Sequence, residues 1–319
     1  MHHDVRGHII DGSLRSILVG GGLHSAPKES QALLFVHSMF SLHSRALLAF
    51  TILSFGEAWL VGNPSSKRRV GTSFFATVSN DVDTYVLEGD EKSIQQAAAF
   101  MFDAFWVGDT RVQQGSGSLS EGTKSNLVRE QAQDFTAKYG ERMGKRLLES
   151  CLVVAADVDS RETLGLVSLE VSLLDRNQQD IMPNDAAESL LKNTVASLGP
   201  KQRREYKDST AVEIANDLLP TEQEAVCCLS NLAISPSARR RGIAMKLCAD
   251  AEELAKGEDF DMMYLKVEKD NEPALRLYQD KLGYEQVFLQ ERAPAMRLDL
   301  DQGTFEESRA DTLILAKKL

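Results

Sequence analysis

The positions of apolar residues in the first part of the folded region predict two helices and a strand hairpin. Between Ile94 and Phe105, apolar residues recur at spacings of three and four, the repeat of one helix face. Residues 125–149 show a longer and more charged amphipathic pattern. The predicted elements are a short strand at 84–87, helices at 93–106 and 125–149, a loop at 109–124, and strands at 151–156 and 164–172 that form an antiparallel hairpin.

The remainder of the chain combines a polar insert at 175–224 with a second set of buried elements. A nearly continuous apolar run at 225–234 is typical of a strand that is buried on both faces. Helix start and stop signals flank the other elements. The predicted elements are a helix that Asn184 caps and Gly199-Pro200 ends, a helix from Thr210 to Leu219, a strand at 225–234, a helix beginning near Gly242, a strand at 263–268, a helix capped by Asn271, and a late strand at Asp311–Lys317.

Composition and charge divide the chain into two regions. Hydrophobic residues make up 43% of the 319 residues, and the formal net charge is −11, which disfavours nucleic acid as a main partner and suits a cationic substrate. Residues 1–80 contain seven Lys/Arg and four Asp/Glu residues, whereas residues 81–319 contain 29 Lys/Arg and 43 Asp/Glu residues. We therefore predict a targeting or disordered head at 1–82 and a folded domain at 83–319 that includes the insert at 175–224.

The head carries a targeting pattern. The largely apolar run at 46–55, preceded by Arg45, is too short to cross a bilayer and matches the hydrophobic region of a signal peptide. A hydroxyl-rich, basic stretch follows. Together they resemble the two-part plastid targeting sequence of algae with complex plastids, which implies a true start at Met39, a signal-like segment at 39–58, a transit-like segment at 59–82 and a plastid (chloroplast) location. The alternatives are a secretory signal, a mitochondrial presequence and a disordered head with a chance apolar stretch. No stable membrane insertion is expected in the mature form.

Histidine and cysteine usage excludes several catalytic classes. All six histidines lie before residue 44, so the folded domain contains none. Ser-His-Asp catalysis, Cys-His catalysis and His-based metal sites are therefore excluded there. The four cysteines form no C-x-x-C pair, and Cys227 and Cys228 must point to opposite faces of a strand. We interpret the cysteines as small buried hydrophobic residues in a reducing compartment, and we expect no metal.

The segment from Leu229 to Leu247 carries the most chemical information. A buried strand leads through a basic loop into a helix, and a helix N-terminus offers unpaired N–H groups and about half a positive charge. Gly242 and Ala244 leave room for phosphate groups to approach the backbone. The arginines at 239–241 add electrostatic attraction. This arrangement suits a pyrophosphate.

Two motifs in this region resemble those of the GCN5-related N-acetyltransferase (GNAT) family. Arg239-Arg-Arg-Gly-Ile-Ala has the form (Gln/Arg)-x-x-Gly-x-(Gly/Ala), and residues 271–284 have the form Asn-x-x-Ala-x-x-Leu-Tyr-x4-Gly-(Phe/Tyr). The motifs cover 229–284 in the family's order, and the flanking elements extend the resemblance over most of 83–319. The stretch Leu229-Ser-Asn-Leu-Ala-Ile is most similar to plastid enzymes of plants and algae, a group associated with acetylation of lysine side chains and protein N-termini.

The resemblance implies a fold, a co-substrate and a set of binding residues. The fold is α/β, with a central mixed, mostly antiparallel sheet splayed into a V, flanking helices and a helical insert. The co-substrate is acetyl-CoA, and Asn271 serves the thiol half as well as capping a helix. The residues implied to bind it are Leu232, Ala233 and Ile234 along the pantetheine arm, Arg239, Arg240, Arg241, Gly242, Ile243, Ala244 and Met245 around the pyrophosphate, and Asn271, Ala274 and Tyr278.

The same resemblance implies roles in acid–base catalysis. Tyr278 is the candidate general acid, because a phenol beside the sulfur protonates the departing thiolate. Since histidine is absent, a carboxylate is the expected general base. Glu224 is the first choice, and Glu222 and Glu170 are alternatives. A thiol base or an acetyl-cysteine is not favoured, because the family transfers acetyl directly.

The sequence therefore predicts an acetyl-CoA-dependent N-acetyltransferase that moves acetyl to a primary amine, with protein lysines or protein N-termini as substrate. Two alternatives stay open: an acetyltransferase of small amines such as polyamines or amino acids, and a non-catalytic acetyl-CoA-binding sensor. The insert at 175–224 is a candidate lid or substrate-choosing arm, and the alternative is a family-variable decoration.

Overall fold

The computed structural model describes residues 81–141 and 147–319. The predictions for the head, including Met39 and the segments 39–58 and 59–82, lie outside the described residues except for the last two positions. The strands are β1 (Val82–Val86), β2 (Gln113–Gln114), β3 (Ser150–Asp157), β4 (Thr163–Asp175), β5 (Asp180–Ile181), β6 (Gln223–Ile234), β7 (Met262–Glu268), β8 (Glu285–Asp299) and β9 (Thr304–Lys318). The helices are α1 (Glu91–Met101), α2 (Glu121–Tyr139), α3 (Asn184–Ser197), α4 (Pro200–Glu205), α5 (Ala211–Leu218), α6 (Ile243–Gly257) and α7 (Glu272–Leu275).

The strands form one mixed sheet in the order β1-β3-β4-β6-β7-β9-β8-β2, with β5 paired to β4. All neighbours are antiparallel except β6–β7 and β2–β8. Strands β6 and β7 pair only at Cys227–Met263 and Cys228–Tyr264, and beyond these residues their ladder ends. The sheet is therefore splayed into a V at this point, which confirms the predicted fold.

Helices cover both faces of the sheet. Helix α6 buries Leu247 and Ala251 against one face, together with β4, β7 and β9. Helices α1 and α2 bury Ala98 and Phe135 against the other face, where β3 and β4 contribute. The insert has its own cluster around Leu191, which packs against β4 and α5. In the described part of the chain, no helix combines the length and apolar character needed to cross a membrane.

Several helix boundaries differ from the predicted ones for local reasons. Helix α2 begins four residues before the predicted Ser125, because Ser120 caps it by accepting from the Thr123 N–H at 3.1 Å. It ends at Tyr139 before Gly140, whereas the prediction continued to Glu149. Pro183, not Asn184, is the cap of α3, so the predicted capping role of Asn184 is wrong.

The remaining helices and strands either agree with the sequence prediction or were not predicted. Helix α5 confirms the predicted helix at Thr210–Leu219, and Thr210 caps it with a full capping box. The predicted strand at 311–317 is the end of the longer β9. Strand β8 was missed, because Leu298 is its one buried residue and charged residues and Pro294 interrupt its apolar positions. The short elements β2, β5 and α4 were also missed.

Candidate active site

A cleft with a volume of about 820 Å³ opens where β6 and β7 separate. Its walls come from β4, β6, β7, α7 and the residues just after it, the start of α6, the helical segment after α1, and residues 181–184 of the insert. The motif residues thus meet at one site, although 40 or more positions separate some of them. The predicted residues in the wall are Leu232, Ala233, Ile234, Arg239, Ala244, Asn271, Ala274 and Tyr278. The predicted residues Arg240, Arg241, Gly242, Ile243, Met245 and Glu224 are not in the wall.

The start of α6 borders the cleft at Ala244. Gly242 precedes the helix with φ 81°, a left-handed conformation that glycine adopts without steric cost. The first bond of the helix runs from the Lys246 N–H to the Gly242 carbonyl at 3.1 Å, and no described side chain caps the helix. The N–H groups of the first turn therefore have no hydrogen-bond acceptor within the helix. Ile243 contributes only its backbone here, since its side chain is 1% exposed in the core.

Arg239 connects two segments of the cleft wall through hydrogen bonds to backbone carbonyls. Its guanidinium donates to the carbonyl of Ile234 at 3.3 Å and to the carbonyls of Ala104 and Gly108, both at 3.1 Å. These bonds hold the end of β6 against the turn that follows α1. Arg240 and Arg241 are exposed beside it, and Arg240 has φ 69°. Arg239 therefore shapes the wall in addition to supplying charge.

Asn271 joins the two sides of the cleft through its side-chain oxygen. The oxygen accepts from the Ala274 N–H at 3.2 Å, which confirms the predicted helix cap. It also accepts from Arg111, which pairs with Asp109 at 2.5 Å. Arg111 lines the cleft but was missed by the sequence analysis. Its segment carries no motif, and only the fold brings it to Asn271.

Tyr278 lies in the cleft wall with 7% of its surface exposed. Its ring packs edge-on against Tyr284, with the centroids 5.8 Å apart. Burial, and then the neighbouring Cys248 thiol, raise the pKa of the phenol well above its usual value. Within 81–141 and 147–319, its hydroxyl has no hydrogen-bond partner. The phenol is therefore protonated and available as a donor.

Glu224 does not reach the cleft. Its carboxylate pairs with Arg176 at 2.6 Å, and the Tyr264 hydroxyl lies 3.5 Å away. Arg176 thus neutralises the residue that the sequence ranked first as general base. Glu222, in the turn before β6, is exposed and also outside the cleft wall.

Glu170 is the carboxylate that the structure does bring to the cleft. It lies on β4 and faces Cys228 of β6 across the sheet. The Tyr139 hydroxyl donates to its Oε1 at 2.5 Å, and the Asn184 amide donates to its Oε2 at 3.1 Å. The remaining donors to Oε1 are Ser230 at 2.7 Å, Ser168 at 3.2 Å and Asn231 at 3.4 Å.

A β-bulge in β6 makes this arrangement possible. Leu166 pairs with Ala233 and Ser168 pairs with Ser230, so Val167 opposes two residues instead of one. Asn231 has φ 52°, a left-handed conformation that asparagine tolerates better than most residues. The bulge also removes β6 backbone groups from regular pairing with β4 beside the cleft.

The cysteines are buried or partly buried, which makes their thiols weakly reactive. Cys227 and Cys228 belong to different core clusters on opposite faces of the sheet, as predicted, and all four cysteines are free. Burial raises the pKa of the thiols of Cys151, Cys227 and Cys248 to about 12. At neutral pH these thiols are therefore protonated and weakly nucleophilic. No group of three or more His, Cys, Asp or Glu residues within the described ranges is arranged to hold a metal ion.

Residues 210–284 match the model of the acetyltransferase (GNAT) family. Among solved structures, the chain is similar to the ribosomal-protein-S18-alanine N-acetyltransferase of Escherichia coli, with 14% identity, coverage of 74% of this chain and 93% of that one, and a TM-score of 0.38. It is also similar to NAA60 of Arabidopsis thaliana in complex with a bisubstrate analogue, with 15% identity, coverage of 74% of this chain and 97% of that one, and a TM-score of 0.38. A third similar structure is a polyamine N-acetyltransferase of Drosophila melanogaster, with 14% identity, coverage of 74% of this chain and 100% of that one, and a TM-score of 0.38. No curated protein matches the chain. The described residues have a mixed α/β fold, and the family match covers residues 210–284 of it.

Proposed function

We propose that this chain is an acetyl-CoA-dependent N-acetyltransferase that transfers acetyl directly to a primary amine on a protein, either a lysine side chain or an N-terminus. The observation that carries the proposal is the cleft at the splay of β6 and β7, which has a helix N-terminus at one end and Tyr278 in its wall. The family match over 210–284 covers the segments that build both features.

The shape and chemistry of the cleft fit acetyl-CoA. The N-terminus of α6 supplies N–H donors for the pyrophosphate, and Arg240 and Arg241 add positive charge outside. Where β6 leaves β7, its edge on the β7 side has no partner strand, so an amide-containing pantetheine arm is able to pair with Leu232 to Ile234 as an added strand would. No metal is needed for acetyl transfer from a thioester, which is already an activated acyl donor.

Two proton transfers accompany the reaction. The neutral amine attacks the thioester carbonyl carbon, an N–C bond forms, and the tetrahedral intermediate collapses with loss of the C–S bond. The Tyr278 hydroxyl donates its proton to the departing sulfur. The nitrogen releases its surplus proton, and the phenolate regains one from the cleft. Because burial disfavours the phenolate, Tyr278 is a donor throughout the neutral range.

A protein or peptide substrate is supported by the acidic body of the chain and the open cleft. The formal net charge of −11 attracts cationic segments. The test is turnover of acetyl-CoA by the full chain with a mixed peptide library, with mass spectrometry to read lysine and N-terminal products separately. Acetylated peptides support the proposal. Acetylation of polyamines or amino acids without any peptide product favours the small-amine alternative, and tight acetyl-CoA binding without any product favours the sensor.

Substitution of Ala244 by leucine should weaken acetyl-CoA binding. Ala244 lies in the first turn of α6 and lines the cleft, so a larger side chain there covers the N–H groups that receive phosphate. Loss of one charge-assisted hydrogen bond costs about 1.5–3 kcal/mol, which corresponds to a rise in Kd of roughly tenfold to a hundredfold. Titration calorimetry with CoA measures the change. Ala249→Leu, at an exposed position of the same helix, is the matched control. Equal Kd values for the two variants would contradict the assignment.

We further propose that the protein acts in a plastid after removal of its head. The support is the sequence pattern alone: a signal-like segment at 39–58 followed by a basic, hydroxyl-rich stretch. The expected result is a mature protein that begins after residue 58, which N-terminal sequencing of the protein purified from its own cells measures. A mature protein that retains residues 39–58 would rule the proposal out.

A further inference from the structure

We infer that Glu170, held by Tyr139, Ser230, Asn231 and Asn184, is the group that binds the cationic amine of the substrate and removes its proton. The inference rests on the proposed function and names the acceptor side of the same cleft. It also gives the insert a role, because Asn184 is the first residue of α3.

The hydrogen bonds of Glu170 leave one oxygen with spare capacity. Four neutral donor groups lie within hydrogen-bond distance of Oε1, whereas among the described residues only the Asn184 amide lies within that distance of Oε2. A carboxylate oxygen has two lone-pair directions, so Oε2 has one left for a ligand. The crowded Oε1 fixes the orientation of the carboxylate, and the partly exposed side chain lines the cleft.

Glu170 differs in its charge balance from two other acidic residues of the cleft, and it differs from the third, the exposed Asp270, in being partly buried. Asp109 pairs with Arg111 at 2.5 Å, and Glu268 pairs with Arg297 at 2.7 Å. Among described residues, no Lys or Arg lies within ion-pair distance of Glu170. Its donors are three hydroxyl groups and two amide groups, all neutral. An uncompensated carboxylate in a cleft attracts an ammonium group and favours it over a neutral ligand.

The surrounding surface suits an ammonium group on an apolar stem. Ile181, Met182 and Pro183 of the insert line the cleft next to Asn184. The Met182 N–H bonds the Leu173 carbonyl at 2.8 Å, which anchors this segment to β4. A lysine side chain has this combination of a methylene stem and a charged end. The acceptor class is therefore a primary alkyl ammonium.

The proton balance closes with the chemistry proposed above. The bound ammonium gives one proton to Oε2 of Glu170 and becomes a neutral nucleophile. After attack, the C–S bond breaks, Tyr278 protonates the sulfur, and the surplus proton of the attacking nitrogen restores the Tyr278 phenol. The protonated Glu170 then releases its proton to solvent. The sum converts an ammonium and a thioester into an amide, a thiol and one proton.

Three titratable groups face Glu170 or its end of the cleft. Tyr139 comes from α2, and its pKa is raised well above the usual value by burial first and by Glu170 second, so it stays protonated. Cys228 comes from β6, and burial raises the pKa of its thiol. Lys266 comes from β7 and pairs with Asp180 of β5 at 2.5 Å. Tyr139 and Cys228 stay neutral, and Lys266 is already paired. The proton of the amine is therefore accepted by Glu170 and not by one of these neighbours.

The test is the pH dependence of kcat/KM for a lysine-containing peptide, with the full chain and its Glu170→Gln variant. Without the carboxylate only the neutral amine reacts, and lysine has a pKa of about 10.4 in water. We expect a loss of about 100-fold at pH 7 and a rate that rises tenfold per pH unit up to about pH 10. The wild-type rate should level off at lower pH. Glu162→Gln, in the exposed turn before β4, is the matched control and should follow the wild type.

A second variant distinguishes a proton acceptor from a structural residue. Asn184→Asp places a negative charge beside Oε2 and disfavours the ionised form of Glu170. We expect the acid limb of the kcat/KM profile to move upward by about one pH unit. A residue that only stabilises the fold would lower the rate without moving the profile. A Glu170→Gln profile parallel to the wild type, or a changed profile in Glu224→Gln instead, would overturn the inference.

A binding measurement separates this inference from the proposed function. Affinity for the lysine peptide, compared with the same peptide carrying norleucine in place of lysine, reports the ammonium site without turnover. We expect the wild type to prefer the lysine peptide and Glu170→Gln to lose that preference by roughly tenfold. If this loss occurs but no amine is acetylated, the proposed function fails and the ammonium site stands. If acetylation occurs and Glu170→Gln changes neither binding nor pH profile, the site assignment fails.

Discussion

Replacement of Tyr278 by phenylalanine should lower kcat by about 10³-fold and leave the fold intact. The phenol lies in the cleft wall and is the proposed proton donor to the leaving sulfur. General acid catalysis contributes about 10²–10⁴-fold to the rate. Stability should hardly change, because the hydroxyl has no partner among the described residues and the ring keeps its edge contact with Tyr284. Steady-state kinetics with a peptide substrate, together with thermal unfolding, measures both effects.

The matched control for this prediction is Tyr284→Phe. Tyr284 packs against the same ring, but its hydroxyl donates to Glu252 at 3.2 Å inside the core. Loss of this bond leaves a buried carboxylate with one donor fewer and should cost about 1–3 kcal/mol of folding free energy. The kcat of Tyr284→Phe should stay near the wild-type value. The general-acid assignment does not survive if Tyr278→Phe retains more than about a tenth of the wild-type kcat.

Replacement of Phe135 by alanine should lower the free energy of unfolding by about 3–5 kcal/mol, the usual cost of emptying a buried aromatic site. Phe135 is fully buried between α1, α2 and the sheet, and its ring packs edge-on against Tyr139 with the centroids 5.3 Å apart. The loss is large compared with a total stability of about 5–15 kcal/mol. Urea unfolding monitored by circular dichroism measures it.

Phe135→Leu is the control for cavity size, because leucine fills most of the vacated volume and should cost clearly less. Both variants remove the ring that supports Tyr139, which donates to Glu170. We therefore expect kcat/KM to fall in both, and to fall more in the alanine variant. Equal stability of Phe135→Ala and the wild type would show that this cluster does not hold α2 to the sheet.

The parts of the fold with strong periodicity or motifs were predictable from the sequence. The two motif segments led to the cleft, and Asn271, Ala244 and Tyr278 line it as expected. Helix α2 shows the limit of periodicity. Its charged amphipathic pattern continues beyond Tyr139, and the actual end depends on Gly140, which accepts an extended conformation with φ −69° and ψ 163°.

The sequence analysis could not rank residues whose role depends on distant contacts. Glu170 was an alternative base, and nothing local separated it from Glu224. The difference lies in partners far along the chain: Arg176 reaches Glu224, whereas Tyr139 and Asn184 reach Glu170. Neither pairing follows from the spacing of residues in one element. Such contacts are set by packing of the sheet against α2 and the insert.

The bulge in β6 limits how the length of this strand can change during evolution. In a regular strand, neighbouring side chains alternate between faces, yet Ser230 and Asn231 both reach Glu170. The extra residue opposite Val167 sets this phase. Loss of one residue between 229 and 234 would exchange core-facing and cleft-facing side chains along the rest of the strand. Insertions and deletions should therefore be tolerated in surface turns such as 158–162 and eliminated by selection from this strand.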